Sequence, residues 1–308
     1  MNIKSMRDSF FEELFLEMSK NDKIIIITVD FGAPILDTIR ENFPNQFINV
    51  GIAEQNAINI GVGLALEGFI VYIYGIAPFI SMRCYEQIRV NMAILSQFRD
   101  MNINIIAVGA GMSYATSGPT HHCLEDLSIM RTLPNIEIFS PSDYILSKKI
   151  LKKSIDALGP KYIRFDAGVH PAIYSEIINL DKGFEILQEG ENIAVISTSY
   201  MINYLYQSID ELKNIKLIDL YSITNYDVNL LKKELNSIDT IITIEEGFIA
   251  AGGLDSEINF NFRDKKIINL GINKKYCLAI GKREELYENC MINLEFLKHR
   301  IKLLKEEL

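Results

Sequence analysis

One carboxylate stands inside an apolar stretch near the start of the chain. Residues 51–55 read Gly-Ile-Ala-Glu-Gln, between a short apolar run at 47–50 and an apolar helical pattern at 57–66. Glu54 is therefore predicted at a strand-to-helix corner within a core. A carboxylate removed from water is unfavourable unless it is paired, protonated or bound to a ligand, which makes Glu54 a candidate for proton chemistry or ligand binding. The alternative is a solvent-facing Glu54 that complements the positive end of the helix.

A second candidate site is the loop at residues 109–122, which is rich in glycine and hydroxyl groups and ends in two histidines. The loop follows a predicted strand, which makes His121 and His122 candidate functional residues. Thr120 could instead cap a helix and leave both histidines exposed. Adjacent histidines do not readily face one ligand, so we expect no metal site here. The four cysteines lie far apart, without metal-binding spacing, and are expected as reduced thiols.

The elements that must position these residues alternate between apolar strands and helices. Continuous β-branched runs without polar alternation indicate strands covered on both faces, as in a parallel sheet. The predicted strands of a first sheet span 23–29, 47–50, 69–74, 103–108, 136–139 and 161–165. Those of a second sheet span 193–197, 216–220, 240–244 and 266–270. We therefore predict an α/β fold of two doubly wound domains with mostly parallel sheets, at residues 1–166 and 190–308, joined by a linker at 167–189.

The candidate functional residues follow predicted strands of the first domain. Asp30, Glu54, Phe79 and the loop at 109–122 each begin where a strand ends. In open parallel sheets, ligands bind at the carboxyl ends of the strands, so this shared placement predicts a site at one edge of the first sheet. Neither a G-x-G-x-x-G dinucleotide motif after a strand nor a G-x-x-x-x-G-K-[ST] phosphate loop occurs in the sequence.

Composition narrows the class of protein. A chain of 308 residues with 48% hydrophobic and 23% charged content is typical of a globular protein with two domains. A net charge of −9 argues against non-specific nucleic-acid binding. The first residues contain no apolar signal core, so the cytoplasm is the predicted location. The apolar stretch at 68–80 contains Pro78 and is shorter than the ~20 residues that span a bilayer, so we predict no membrane contact.

Several segments resemble, in order and spacing, the pyrimidine-binding domain of transketolase. They read FINVGIAEQN at 47–56, YGIAPF at 74–79, RCYEQIR at 83–89, GPTHH at 118–122, ED at 125–126 and LPN at 133–135. Later segments resemble the transketolase C-terminal domain: IEE at 244–246, GGL at 252–254 and KREEL at 282–286. The resemblance covers nearly the whole chain. The family's N-terminal domain, which binds the cofactor's diphosphate, has no counterpart in this sequence.

The resemblance implies the C-terminal subunit of a two-component transketolase-like enzyme. Such an enzyme uses thiamine diphosphate to transfer a two-carbon ketol unit between sugars or sugar phosphates. The family's active sites lie between subunits. A separate N-terminal subunit would therefore bind the diphosphate and Mg²⁺, and an α2β2 assembly is the expected unit.

Four residues are implied as cofactor contacts. Glu54 matches the glutamate that hydrogen-bonds N1′ of the thiamine aminopyrimidine and promotes its imino tautomer. Phe79 matches the aromatic residue that stacks on the same ring. Asp30 matches an aspartate near the thiazolium and the substrate, and Ile52 lies beside the glutamate in the matched segment.

The implied substrate contacts are His121, His122, Arg164 and Ser117. His121 matches the histidine that contacts donor-sugar hydroxyls and assists their proton transfers, and Arg164 matches an arginine that binds the substrate's phosphate. The chain departs from full-length transketolases at two positions: Gly109 replaces a phosphate-binding histidine, and Ser117 replaces an aspartate used on a sugar hydroxyl. These departures favour a modified, nucleotide-linked or non-phosphorylated sugar. On this basis Gly109→His is expected to improve the use of phosphorylated sugars.

Other activities on the same scaffold remain alternatives. One is a condensation like that of 1-deoxyxylulose-phosphate synthase, and another is the β subunit of a 2-oxoacid dehydrogenase E1 component. A histidine at position 121 favours sugar substrates. A third alternative is a non-catalytic assembly subunit, but the presence of both Glu54 and Phe79 argues against it.

Overall fold

The computed structural model describes residues 3–175 and 179–307 of the chain. In chain order the strands are β1 Ile3–Ser5, β2 Ile24–Thr28, β3 Phe47–Asn49, β4 Ile70–Ile76, β5 Asn102–Val108, β6 Glu137–Phe139, β7 Gly159–Phe165, β8 Val169–Pro171, β9 Phe184–Gln188, β10 Asn192–Ser197, β11 Lys216–Leu220, β12 Ile238–Phe248 and β13 Lys266–Ile272. The α-helices are α1 Met6–Met18, α2 Pro34–Asn42, α3 Glu54–Leu66, α4 Tyr85–Gln87, α5 Asp126–Met130, α6 Tyr144–Asp156, α7 Ser199–Tyr206, α8 Val228–Glu234, α9 Leu254–Asn261, α10 Arg283–Cys290 and α11 Leu294–Glu307.

Shorter helical turns lie between these elements. Two of them are π-helical, at Phe79–Arg83 and Ile88–Ile94. The 3₁₀ turns are Pro44–Gln46, Leu95–Gln97, Ala115–Ser117, Leu180–Lys182 and Ile209–Glu211.

The first sheet has six parallel strands in the order β3-β2-β4-β5-β7-β6. Its strands are rich in Ile and Val because helices cover both faces. Side chains of one face, such as Ile26, pack with α1, α2 and α6. Those of the other face, such as Ile27, pack with α3 and the π-helical segments. The carboxyl ends of β2, β3, β4 and β5 therefore meet at one edge.

The second sheet has the order β13-β12-β10-β11-β9, with β9 antiparallel to its neighbour β11 and the other strands parallel. Helices α7 and α11 pack on one face of it. The other face, covered by α8 and α9, joins the core beneath the first sheet. The two sheets are thus held together by a shared apolar core.

No helix in the described part of the chain is both long and apolar enough to cross a membrane.

The predicted α/β fold with mostly parallel sheets is confirmed, and the bounds of each predicted strand are found within two residues, except that β12 extends four residues beyond its predicted end at 244. Three short antiparallel strands are additional. β1 pairs with β8, and β8 and β9 lie within the stretch at 167–189 that the sequence predicts as a linker. The domain bounds themselves stay a prediction.

A buried carboxylate lies where the two sheets meet. Asp219 on β11 accepts hydrogen bonds from the hydroxyls of Ser142 and Tyr174, the latter with an Oη–Oδ2 distance of 2.7 Å. Asp143 accepts the backbone N–H groups of Ile173 and Tyr174 at 2.7 and 2.8 Å. The loop after β6, the segment after β8 and β11 are joined in this way. Burial raises the pKa of Asp219 to about 7, although the two hydroxyl groups oppose this shift.

Asp219 should make the stability of the protein depend on pH. The pKa of Asp219 in the folded chain is about 7, above the ~3.9 of an unfolded aspartate. Its contribution to stability is therefore full below about pH 4 and is lost as the pH rises through about 7. Between pH 5 and pH 8, we expect the free energy of unfolding of the wild type to fall by about 2 kcal/mol more than that of Asp219→Asn.

Urea unfolding at the two pH values measures this difference. Asp239→Asn is the control, because Asp239 is an exposed aspartate on β12 of the same sheet. In Asp239→Asn, the free energy of unfolding should change between pH 5 and pH 8 by the same amount as in the wild type. Equal pH dependence of the wild type and Asp219→Asn would contradict the expectation.

Candidate active site

Glu54 is the first residue of α3 and lies in the interior, with 4% of its surface exposed. The predicted corner is confirmed, and the alternative of a solvent-facing Glu54 is wrong. Helix α3 approaches β4 closely, since a Cβ at Gly61 would lie 2.6 Å from Cδ1 of Ile73. Arg83 Nη1 donates to Glu54 Oε1 at 2.6 Å. The carboxylate is thus buried, paired by one arginine and placed at the positive end of a helix.

Phe79 and Arg83 begin and end the π-helical turn that follows β4. Such turns are uncommon and occur mostly as local insertions in helices, frequently at functional sites. The guanidinium carbon of Arg83 lies 4.9 Å from the centroid of the Phe79 ring. The Phe79 ring also meets the His121 ring edge-on, with 5.5 Å between centroids. Glu54, Arg83, Phe79 and His121 therefore form one continuous row, which we call the site row.

His121 lies on the loop at 109–122, and its position is fixed locally. Its backbone N–H donates to the carbonyl oxygen of Gly118 at 3.0 Å. Its ring Nδ1 shares a hydrogen bond of 3.0 Å with Thr120 Oγ1. Thr120 does not cap a helix, because α5 begins only at Asp126. With Nδ1 engaged by Thr120, Nε2 is the ring nitrogen that remains for a ligand.

His122 turns away from the site row. It is 3% exposed, and neither of its ring nitrogens makes a hydrogen bond of ordinary geometry with the residues that the structure describes. Burial lowers the pKa of His122 below its ordinary value, and the Glu246 carboxylate opposes this shift. The structure therefore brings only the first of the two adjacent histidines to Phe79. The predicted substrate contact of His122 stays a prediction that its burial does not favour.

The loop at 109–122 is anchored to the second sheet through Arg283. This buried arginine donates to Glu246 through Nε at 2.8 Å and through Nη2 at 2.5 Å, and to Asp166 through Nη1. Glu246 also accepts the backbone N–H of Met112 at 3.2 Å. Although burial opposes ionisation, Arg283 and His170 hold the pKa of Asp166 well below its usual range. These ion pairs join the ends of β7 and β12 beneath the loop.

Asp30 follows β2 and has a left-handed backbone, with φ of 58°. Asn49 holds it in place: Oδ1 of Asn49 accepts the N–H groups of Asp30 at 3.2 Å and Gly51 at 2.9 Å, while Nδ2 donates to Asp30 Oδ1 at 3.3 Å. A non-glycine residue with positive φ is costly and is concentrated at functional sites. Asn49 thus connects Asp30 to the turn that leads into Glu54.

The two remaining predicted site residues, Ile52 and Ser117, lie at the surface. Ile52, two residues before Glu54, is 77% exposed, which is unusual for a large apolar side chain beside a buried carboxylate. Ser117 is exposed at the end of the 3₁₀ turn Ala115–Ser117, four residues before His121. Both side chains are accessible from solvent.

Arg164 is not part of the site row. It is buried on β7, where Nε and Nη2 donate to the two carboxylate oxygens of Asp126 at 2.8 and 3.0 Å. Tyr162 also donates to Asp126, at 3.0 Å. The structure thus uses this arginine to hold the start of α5 against β7. The predicted contact between Arg164 and a substrate phosphate stays a prediction. The burial of the guanidinium and its pairing with Asp126 do not favour it.

Tyr114 fills the space above Gly109. Gly109 has φ of 99°, and a Cβ built on it would lie 2.1 Å from Cε2 of Tyr114. The Tyr114 ring also meets His121, with 6.3 Å between centroids. A histidine at position 109 would collide with Tyr114, so the expected benefit of Gly109→His requires Tyr114 to be removed as well. Tyr114 therefore borders the site row, although the sequence did not predict a role for it.

Arg83 and Asn49 are the other residues that sequence reasoning missed. Both stand inside the matched segments at 47–56 and 83–89, but neither is predicted to have a role. For Asn49, a polar side chain at the end of an apolar strand was the available signal. For Arg83, the signal was its spacing of four residues from Phe79, which places the two on one side of a helical turn.

Comparisons with known proteins agree with this geometry. The sequence profile of the family described as "Transketolase, pyrimidine binding domain" matches residues 4–169. The "Putative transketolase C-terminal section" of Methanocaldococcus jannaschii is 29% identical, over 97% of this chain and 95% of that protein. One of the subunits of the apulose-4-phosphate transketolase of Phocaeicola vulgatus is 32% identical, over 80% of each chain.

A solved structure is similar over nearly its whole length. It is described as "Split gene transketolase, inactive beta4 tetramer". The TM-score is 0.84 and the sequence identity 26%, with 97% of each chain covered.

The contact between Gly109 and Tyr114 can be tested by stability. Gly109→Ala should cost more free energy of unfolding than Gly159→Ala, because Gly159 has a similar φ of 97° but no atom within 4 Å of the added Cβ. Gly159→Ala should cost about 1–3 kcal/mol for its backbone alone. The excess for Gly109→Ala should largely vanish in a Tyr114→Ala background, as urea unfolding would measure. An excess of the same size in both backgrounds would show that Tyr114 is not the obstacle.

Proposed function

The chain belongs to the transketolase family, and from this membership we propose that it is the C-terminal subunit of a two-component, thiamine-diphosphate-dependent enzyme of the cytoplasm. The enzyme transfers a two-carbon ketol unit between sugars. Its pyrimidine-binding domain occupies residues 1–166 and its C-terminal domain residues 190–308, with 167–189 between them.

The observation that carries the proposal is the buried carboxylate of Glu54 and the ring of Phe79, both in contact with the guanidinium of Arg83. An aminopyrimidine needs a carboxyl group at one ring nitrogen and an apolar face for its ring. Glu54 and Phe79 lie at the carboxyl edge of the first sheet, and the guanidinium of Arg83 contacts both. The chemical character of this pair fits the pyrimidine half of thiamine diphosphate. When bound, the cofactor supplies the nucleophilic carbon that takes up the ketol unit.

Glu54 would hold a proton at the ring nitrogen N1′ of the cofactor. Its burial supports this role, because a hydrogen bond is stronger in a dry, apolar setting than in water. The apolar side of α3, which packs on β4, keeps water from the carboxyl group. Asp30 and Ile52 would border the same half-site, one held by Asn49 and the other exposed towards the partner subunit.

His121 would move protons to and from the sugar's hydroxyl groups. Its Nδ1 is engaged by Thr120, so Nε2 is the atom that would accept or donate these protons. Its edge contact with Phe79 sets the ring beside the cofactor half-site. Ser117 and Tyr114 would complete the wall of the substrate pocket around it.

The substrate would be recognised differently from that of full-length transketolases. Gly109 supplies no side chain for a phosphate, and Tyr114 closes the space above it. Arg164 is engaged by Asp126. These features support a modified, nucleotide-linked or non-phosphorylated sugar.

The cofactor's diphosphate and Mg²⁺ would be held by a separate N-terminal subunit. One relative is named as a single subunit of a transketolase, and a similar solved structure is described as an inactive tetramer of a split-gene transketolase. Both descriptions support a partner requirement for this chain. An α2β2 assembly would place each half-site of this chain against a diphosphate half-site.

Reconstitution tests the proposed function. The purified chain, mixed with its N-terminal partner, should bind thiamine diphosphate in the presence of Mg²⁺ and transfer a two-carbon unit from a ketose to an aldose. Calorimetry measures the binding, and mass spectrometry of the sugar products measures the transfer. The chain alone should bind the cofactor at least tenfold more weakly. Condensation of pyruvate with an aldose phosphate instead of ketol transfer would point to the synthase alternative.

Glu54→Gln tests the proposed mechanism in the reconstituted enzyme. The amide cannot share a proton with a ring nitrogen as a carboxyl group does, so kcat should fall by about 10²- to 10⁴-fold. Glu67→Gln is the matched control, because Glu67 is exposed at the other end of the same helix. Turnover that survives Glu54→Gln undiminished would rule out the proposed role of Glu54.

A further inference from the structure

Arg83 contacts both groups that are proposed to hold the aminopyrimidine. Its guanidinium donates to the Glu54 carboxylate at 2.6 Å and stacks over the Phe79 ring at 4.9 Å from its centroid. Among the residues that the structure describes, Arg83 is the one that forms a hydrogen bond with the Glu54 side chain. The guanidinium thus occupies the polar contact and the aromatic face at once.

The arginine lies on the solvent side of the pair. The side chain of Arg83 is 48% exposed, whereas that of Glu54 is 4% exposed. A buried carboxylate without a ligand requires a counter-charge, and Arg83 supplies it from the surface. Because the arginine is half exposed, its side chain can leave towards solvent without disturbing the core.

The backbone of Arg83 is held independently of its side chain. Gln55, the residue after Glu54, donates through Nε2 to the carbonyl oxygen of Arg83 at 3.1 Å. Arg83 also closes the π-helical turn that begins with Phe79. Movement of the arginine therefore needs only rotation about its side-chain bonds, while Glu54 and Phe79 keep their positions.

We propose that Arg83 is a positioning residue that closes the pyrimidine half-site of the free subunit and is displaced from Glu54 when thiamine diphosphate binds. This inference rests on the proposed function. The ion pair keeps the Glu54 carboxylate in place before assembly. Breaking it costs free energy, which lowers the affinity for the cofactor. The apparent dissociation constant is then the intrinsic one divided by the fraction of chains in which the half-site is open.

The test is the affinity of the reconstituted two-subunit enzyme for thiamine diphosphate, measured by calorimetry at saturating Mg²⁺. In Arg83→Gln, Glu54 no longer has a competing cation, so the dissociation constant should fall by about three- to tenfold, the range expected for one partly exposed ion pair. Arg89→Gln is the matched control. Arg89 pairs with Glu86 on the next turns of the same segment and does not touch the site row. Its dissociation constant should equal that of the wild type.

A second readout uses the chain by itself. Without cofactor, Arg83→Gln should lower the urea midpoint of the free chain, because Glu54 loses its counter-charge. Arg83→Gln combined with Glu54→Gln should lower it by less than the sum of the two single changes. This non-additivity also shows that the variants are folded and that the pair exists in solution.

Two outcomes would overturn the inference. Weaker binding of thiamine diphosphate to Arg83→Gln would mean that Arg83 contributes to the bound cofactor site, and unchanged binding would mean that the ion pair does not compete. Failure of the proposed function is a different result: the wild-type complex would then not bind thiamine diphosphate at all. The inference alone fails if the wild-type complex binds the cofactor and Arg83→Gln does not bind it more tightly.

Discussion

The structure depends on keeping one carboxylate out of water at the end of a parallel sheet. Glu54 is buried where α3, which is separated from the end of β3 by four residues, lies close against β4, an approach that a Cβ at position 61 would crowd. Its charge is compensated by the helix terminus and by Arg83. Asn49 holds the segment that leads into the helix, because its Oδ1 accepts the backbone N–H of Gly51, and it also accepts that of Asp30. One electrostatic requirement thus organises the ends of β2, β3 and β4.

The other half of the site depends on the second sheet. The loop that carries His121 has few apolar side chains to hold it on the first sheet alone. Backbone hydrogen bonds to Phe165 hold its start on β7, and its further anchors are the Glu246 carboxylate, which binds the Met112 amide, and Arg283, which joins Glu246 to Asp166. The C-terminal part of the chain therefore shapes the site without supplying a residue of the site row. A change at the junction of the sheets would be transmitted to the position of His121.

Much of the fold could be predicted from the sequence, because strands covered on both faces must be continuously apolar. β9 escaped prediction since its five residues include Glu185 and Gln188 and follow a glycine. Glu54, Phe79 and His121 were identified from their place after strands and from family segments. Arg83 was not, because its pairing with Glu54 joins residues 29 positions apart in a chain with 31 lysines and arginines. The burial of His122 and the ring of Tyr114 above Gly109 depend on how the loop folds, which local sequence rules do not describe.

The π-helical turn at Phe79–Arg83 makes the length of this segment as important as its composition. A π turn holds one residue more than an α turn, and each residue of an α-helix is rotated by about 100° from the last. Deletion of a single residue there would restore an ordinary α-helix and turn either the aromatic ring or the guanidinium away from Glu54. Homologous chains should therefore accept substitutions in this stretch more readily than gaps. An insertion or deletion at this turn would mark a lineage in which the half-site has been lost or rebuilt.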